Sequence, residues 1–135
     1  SQNHRMSEIE AALLNLTLPT LREDVDRRRN IAARYREAAP HLRWQAEHDR
    51  HAHHLCVFRS SDRAAATRTL NGAGVATAVH YPLSLPDQPA YRQWATVPCP
   101  EAAGWARECV SVPCFPELTN DEIDQVASAL RLVAT

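Results

Sequence analysis

The sequence predicts an α+β fold, with N- and C-terminal helices packed on a small, mostly antiparallel sheet built around a β-β-α-β core. Three observations carry that expectation. Capping boxes of the form Ser/Thr-x-x-Glu stand at Ser7–Glu10, Thr20–Glu23 and Thr119–Glu122, each opening a stretch with helical apolar spacing. Residues 52–59 form a run with Leu55 and Val57 on one face and Cys56 and Phe58 on the other, so both faces are apolar and the strand belongs at the centre of the sheet. A stop at Asn71-Gly72 is followed by the short alternating run Val75 to Val79, which Pro82 prevents from extending.

The elements follow in order. Ser7 caps a helix with Ile9, Ala12, Leu13 and Leu16 on one face, and Leu18-Pro19 breaks it. Thr20 opens a longer helix to about Ala39, with Leu21, Val25, Ala32 and Tyr35 on its apolar side and Glu23 and Asp24 placed favourably in its first turn. Arg27, Arg28 and Arg36 lie on the opposite side, where a solvated face is the simplest expectation. Pro40 ends the helix, Leu42 to Ala46 reads as a strand, and Glu47 to His51 as a polar turn before the central strand. Ser61 or Asp62 caps an alanine-rich helix ending at Gly72, where glycine takes the left-handed conformation. Beyond the proline-rich segment, Pro100 to Glu108 is a short helix, Cys109 to Val112 a brief strand, and Ile123, Val126, Leu130 and Val133 the buried stripe of a last helix.

Length and composition narrow the function. Residues 1–135 are the size of one domain, and a net charge of −1 offers no basic footprint for nucleic acid or an anionic membrane. No run is long and apolar enough to span a bilayer and nothing reads as a signal peptide, which places the chain in the cytoplasm. All 15 Lys+Arg residues are arginine. Chemistry that needs a lysine amine, such as Schiff-base formation with a carbonyl cofactor, is therefore closed to these residues alone. Cys56, Cys99, Cys109 and Cys114 have no zinc-knuckle spacing and are expected as buried free thiols.

Three constellations could carry chemistry. His48, His51, His53 and His54 are dense in imidazole, but no carboxylate or cysteine completes a metal-ligand spacing, and His54 alternates inward with Cys56 and Phe58; no metal site is expected. His80 and Tyr81 stand at the end of the run Val75–Val79, either as an acid/base or substrate-orienting pair or as a strand-end histidine beside a core tyrosine. Asn3-His4-Arg5 precedes a helix, where an amide and a guanidinium suit a phosphate or serve only as helix-end residues.

In combination these residues resemble a known family. Asn3-His4-Arg5-Met6-Ser7-Glu8-Ile9-Glu10-Ala11-Ala12 resembles the N-x-R-M-S-E-I-x-A-A segment of the DegT/DnrJ/EryC1/StrS aminotransferases, pyridoxal-phosphate (PLP) enzymes that aminate keto-sugars, usually nucleotide-linked. Arg29, Ala32 and Tyr35 are similar to that family's R-x-x-x-A-x-x-Y helix. Gly74-Val75, Thr77 and His80-Tyr81-Pro82 resemble its G-I-x-T-x-x-H-Y-P signature, with Gln88-Pro89-Ala90-Tyr91 in the matching place. Ser111-Val112-Pro113 and the stretch from Leu118-Thr119 to Val126 resemble its closing elements. Pro86 stands where the family often has a second histidine, and Ser1 where it usually has glycine.

The resemblance implies the C-terminal small domain of a fold-type I aminotransferase, with the large PLP-binding domain and its aldimine lysine upstream and absent from residues 1–135. It implies that Asn3, with Arg5 beside it, reaches the cofactor phosphate of a neighbouring subunit, and that His80 and Tyr81 border the substrate cleft. PLP is the implied cofactor, not bound by this chain alone; a homo-oligomer or a PLP-binding partner and a small-molecule substrate are the implied partners. Three readings follow. The chain is the small domain of, or a truncated protein derived from, a sugar aminotransferase of secondary-metabolite or cell-surface sugar biosynthesis. Or it is a standalone, cofactor-free cyclase or isomerase using His80 and Tyr81 as acid/base. Or it is a non-catalytic partner of a full-length relative. Exposed apolar residues on the first helix would mark a missing partner surface.

Overall fold

The computed structural model describes residues 5–134. The order is α1 (Glu8–Thr17), α2 (Leu21–Ala38), β1 (Arg43–Trp44), β2 (Cys56–Arg59), α3 (Arg63–Gly72), α4 (Pro100–Glu108), β3 (Cys109–Val112) and α5 (Asn120–Leu130), with 3-10 turns at Leu18–Thr20, Leu85–Asp87 and Arg92–Trp94. The three strands form one antiparallel sheet in the order β1-β2-β3, with β2 in the middle as its two apolar faces require. All four β2 residues are buried. The α+β class with a small antiparallel sheet between N- and C-terminal helices is the observed one.

The core lies where α2, α3 and α5 meet the sheet. Ile31 and Tyr35 from α2, Phe58 from β2, Leu70 from α3, Val110 from β3 and Leu130 from α5 are each at most 1% exposed. The aliphatic and phenylalanine side chains among them each contribute roughly 1.5–3 kcal/mol by leaving water. Trp44 extends this core at the sheet edge. Its ring meets Phe58 edge-on at 5.4 Å, and its indole N–H donates to Ala39 O at 2.9 Å. The Gln45 side chain continues the β1–β2 ladder where the backbone leaves it, donating to Leu55 O and accepting from Val57 N, both at 3.0 Å. At the end of the central strand, buried Arg59 holds β2 to α4 through Glu108 and Glu101 and stacks on Trp105 at 5.3 Å. A Cβ on Gly104 would come within 2.9 Å of Arg59 Nη2, so α4 approaches that guanidinium closely at this glycine.

The arginines of α2 are less solvated than expected. Arg27 donates to Leu118 O and Asn120 Oδ1, fixing the approach to α5. Arg36 donates to Gln45 O at 2.8 Å, pairs with Glu47 and lies over Trp44. Arg29 donates to His51 O and Asp49 O at 3.0 Å and so sets the turn before β2. Arg34 pairs with Asp124 of α5. Guanidiniums offer several donors in a fixed plane, and here they satisfy loop carbonyls that no ladder reaches.

Four local expectations are corrected. Thr20 and Glu23 form no capping box: Thr20 is itself helical, its hydroxyl turns to Thr17 O and Asp24, and Leu18–Thr20 runs as a 3-10 turn joining α1 to α2. The glycine that stops α3 in the left-handed conformation is Gly74 (φ +77°), two residues after the last helical residue. Gly74 N donates to Asn71 O and Val75 N to Leu70 O, the paired bonds of a Schellman motif. Val75 to Val79 is not a strand: only Ala78 pairs, with Ser111 of β3, while Val75 turns into the core at 3% exposure. The Schellman bond uses Val75 N, and the small Ala76-Thr77-Ala78 stretch has little side chain to pack on a sheet face. Finally, His54 is exposed and His53 is the buried histidine, because His53 adopts φ +46° and breaks the alternation assumed from Cys56 and Phe58.

Candidate functional site

The Ala78–Ser111 bridge brings the segment after α3 alongside β3 and so places the next side chains. Its bonds, Ala78 N to Ser111 O at 3.1 Å and Ser111 N to Ala78 O at 2.8 Å, fix the backbone two residues before His80. His80 Nδ1 then lies 2.9 Å from Ser111 Oγ. Ser111 is a buried polar residue, and a hydroxyl without a partner there would be costly, so its bond to the imidazole holds the ring in one orientation. Tyr81 follows across a cis peptide bond, with its ring edge-on to His80 at 5.4 Å and its side chain 66% exposed. Cys109 donates from its thiol to Tyr81 O at 3.8 Å, tying this turn back to β3.

His80 and Ser111 line an open cleft of about 410 Å³, with Arg28 of α2, His54, Thr77 and Phe115 among its walls. The cleft contains a half-buried imidazole, a hydroxyl, a guanidinium and an exposed imidazole, groups able to hydrogen-bond an oxygen-rich small molecule. Tyr81 is therefore brought to His80 at the surface and is not a core residue. Ser111 was not among the sequence candidates for the site. Its signal was a polar residue at a buried position of a β3 whose neighbours Val110 and Val112 are apolar.

The other candidates are not gathered here. Asn3 lies outside the described residues; Arg5 is exposed and precedes α1. The four clustered histidines separate: His48 is exposed, His51 half-buried and stacked on His53 at 4.2 Å, and His54 faces the His80 cleft. His53 Nε2 stands 3.6 Å from Glu47. Burial lowers the His53 pKa from the ordinary histidine value, with His51 acting in the same direction and Glu47 opposing. Among the described residues no group of three or more His, Cys, Asp or Glu side chains is placed to hold a metal ion, and no helix is long and apolar enough to cross a membrane. Of the cysteines, Cys56, Cys109 and Cys114 are buried free thiols, while Cys99 is exposed, contrary to expectation, because the loop carrying it packs little.

A second surface is as distinctive as the cleft. No residue of α1 is buried; Met6, Ile9, Leu13, Leu14 and Leu16 are 49–75% exposed, and Leu18 and Leu21 continue the stripe onto α2. Seven large apolar side chains presented along one helix and its extension are far more than scattered surface hydrophobics.

The profile of the DegT/DnrJ/EryC1/StrS aminotransferase family matches residues 1–131. The chain belongs to that family. It is 33% identical over 133 residues to the dTDP-3-amino-3,6-dideoxy-alpha-D-galactopyranose transaminase of Aneurinibacillus thermoaerophilus, covering 96% of this chain and 37% of that protein. Its fold is similar to that of a DegT DnrJ EryC1 StrS aminotransferase from Brucella abortus, with a TM-score of 0.85, 25% identity, and coverage of 94% of this chain and 35% of that one. It is equally similar to S. venezuelae DesV, solved with a ketimine intermediate, with a TM-score of 0.84, 28% identity, and coverage of 94% and 36%. The chain thus spans little more than a third of the length of these members of the family.

Membership implies PLP as the family's cofactor, and the residues present can be tested against it. Covalent attachment needs a lysine amine, and the sequence has none. The His80 cleft offers no substitute: imidazole, hydroxyl and guanidinium groups do not form the stable imine that an amine forms with an aldehyde. These residues by themselves cannot hold the cofactor covalently.

Proposed function

We propose that residues 1–135 act as the C-terminal small domain of a PLP-dependent sugar aminotransferase of natural-product or cell-surface sugar biosynthesis, with the cofactor and its lysine on a large domain against which α1 packs. The observation that carries this reading is α1 itself, a well-capped helix none of whose residues is buried and whose large apolar side chains stand exposed. A helix of that length is marginal alone in water and draws its stability from packing. The relatives' length, about three times this chain, supplies a source for the covering surface.

In the assembled enzyme, His80 and Tyr81 border the substrate. Ser111 hydrogen-bonds Nδ1 of His80 and leaves Nε2 to meet a sugar hydroxyl or keto oxygen, and Tyr81 presents its exposed phenol beside it. Asn3 would reach the cofactor phosphate of a neighbouring subunit, with Arg5 beside it, as the resemblance of the N-x-R segment implies. Each of these groups binds or orients; the electron-sink chemistry belongs to the cofactor.

The test mixes the chain with pyridoxal phosphate, alone and with a large domain of the same family lacking its own small domain. A cofactor absorbance band and transamination of a nucleotide-linked keto-sugar are expected in the mixture and not with the chain alone. His80→Gln in the mixture should then lower kcat/KM by about 100-fold. Turnover of a biosynthetic intermediate by the chain alone, without cofactor and dependent on His80, would overturn the reading in favour of a cofactor-free cyclase or isomerase.

A further inference from the structure

The His80 cleft holds one guanidinium that the fold itself does not use. Four arginines of α2 are half-buried: Arg27, Arg28, Arg29 and Arg36. Three are anchored through their side chains, Arg27 to Leu118 O and Asn120, Arg29 to His51 O and Asp49 O, and Arg36 to Gln45 O and Glu47. Arg28 differs. Its backbone carbonyl accepts from the Cys114 thiol at 3.6 Å, but its guanidinium makes no hydrogen bond or ion pair among the described residues, and it lines the cleft.

The rest of the wall shows what such a group can hold. The chain carries 16 acidic residues and a net charge of −1, yet no aspartate or glutamate lines this cleft. Its basic groups are Arg28, His54 and His80, and Leu55, Val112 and Phe115 make much of the remaining wall apolar. A positive charge beside a low-dielectric wall, with no counter-charge near it, attracts an anion more strongly than the same charge in open water. Withdrawing a guanidinium partly from water without a partner is unfavourable, and an arriving oxyanion reverses that loss.

We propose that Arg28 is the anion-recognising residue of the His80 cleft, and that the small molecule bound there carries a phosphate or carboxylate group gripped by the Arg28 fork. This rests on the reading of the cleft as the substrate site, and adds the charge of the ligand and the residue that selects it. The planar guanidinium matches two oxygens of either group at once. His54, exposed in the same wall, adds a further N–H donor, while His80, oriented by Ser111, keeps Nε2 for a neutral oxygen of the same molecule. Charge recognition and the polar contact at His80 thus fall to different groups.

The experiment titrates the full chain with inorganic pyrophosphate and, separately, with malonate, each at constant ionic strength against sodium chloride, and follows the imidazole 15N signals of His54 and His80. A saturable shift is expected from at least one anion; the tighter binder names the group, pyrophosphate for a phosphate and malonate for a carboxylate. Arg28→Gln should weaken that binding about tenfold or more, and Arg28→Lys, which keeps the charge but not the fork, should recover part of it. Arg34→Gln, which removes a guanidinium paired with Asp124 of α5, should leave it unchanged. Amide spectra show that each variant is folded, and the unsubstituted chain decides the matter even where a variant is not. No saturable shift from either anion would overturn the proposal, as would a shift that survives Arg28→Gln. In the mixture with a large domain, Arg28→Gln should raise KM for the keto-sugar with kcat little changed. Loss of association with the large domain on sedimentation would overturn the proposal by assigning Arg28 to that contact. Cofactor-dependent turnover by the unsubstituted mixture is read separately, so the small-domain reading and the role of Arg28 stand or fall on different measurements.

Discussion

His53 shows how one residue couples local conformation to pH. It sits at φ +46°, is 3% exposed, and has no hydrogen-bond partner for Nδ1. The groups facing it are His51 and Glu47 on its own segment and Arg36 and Arg29 from α2; burial, His51 and the two arginines disfavour its proton, while Glu47 favours it. With a pKa lowered in the fold, its contribution to stability is complete above the unfolded histidine value of about 6.5 and is lost as pH falls from there toward the folded value. Thermal unfolding should therefore show Tm falling between pH 7 and pH 5. His53→Asn tolerates the left-handed backbone and should flatten that slope. Gly74 makes a second residue-scale prediction. Its φ of +77° and the Gln125 Nε2 that a Cβ would meet at 2.8 Å both oppose a side chain, so Gly74→Ala should cost about 1–2 kcal/mol in denaturant unfolding.

At the scale of elements, the two complete capping boxes separate local from global stability. Ser7 and Glu10 cap α1, and Thr119 and Glu122 cap α5, with the same reciprocal bonds. Yet α5 buries Ile123, Val126, Ala127, Ala129 and Leu130, whereas α1 buries none of its residues. Thr119→Ala should lower global stability by about 1 kcal/mol. Ser7→Ala should leave the global transition unchanged and appear only as faster amide exchange in α1. Both glutamates have pKa values lowered first by the backbone N–H of their cap residue and then by its hydroxyl. The cap contribution is thus present above the unfolded glutamate value of about 4.3 and is lost as pH drops through the lower folded values. The Ala78–Ser111 bridge is an element of one residue pair that nevertheless sets the site. Ser111→Ala should leave the sheet intact and release His80 from a single ring orientation, which imidazole 15N shifts would report.

For the molecule as a whole, the core and the exposed α1 stripe make opposite demands. Phe58→Ala, at the meeting of the sheet with its helices, should cost about 3–5 kcal/mol. Leu13→Glu on α1 should leave Tm nearly unchanged, raise solubility, and abolish cofactor-dependent turnover when the chain is combined with a large domain; sedimentation and the complementation assay read these outcomes separately. A substitution that spares the fold but destroys assembly is the signature of a surface shaped for a partner.

Local rules carried far in this chain because many of its elements are specified by neighbouring residues. The boxes at Ser7 and Thr119, Pro100 at the start of α4, the strand Cys109–Val112 and the two-faced apolar run around Cys56 each follow from a few adjacent side chains, and the structure has them in those places. The family motifs pointed to His80 and Tyr81 in the same way, by order along the chain. Long-range competition decided the rest. Thr20 gave up its box because the Leu18–Thr20 turn joined two helices, and Val75 left the sheet because its N–H closed α3 and its side chain entered the core. Ser111 met His80 across a separation that no local pattern encodes. By itself the sequence determined the fold class, the family and the absence of a lysine amine, since these rest on composition, order and near-neighbour physics. Only the tertiary structure decided which imidazole is oriented, which is buried and which apolar helix face stands uncovered, because each depends on what the rest of the chain brings against it.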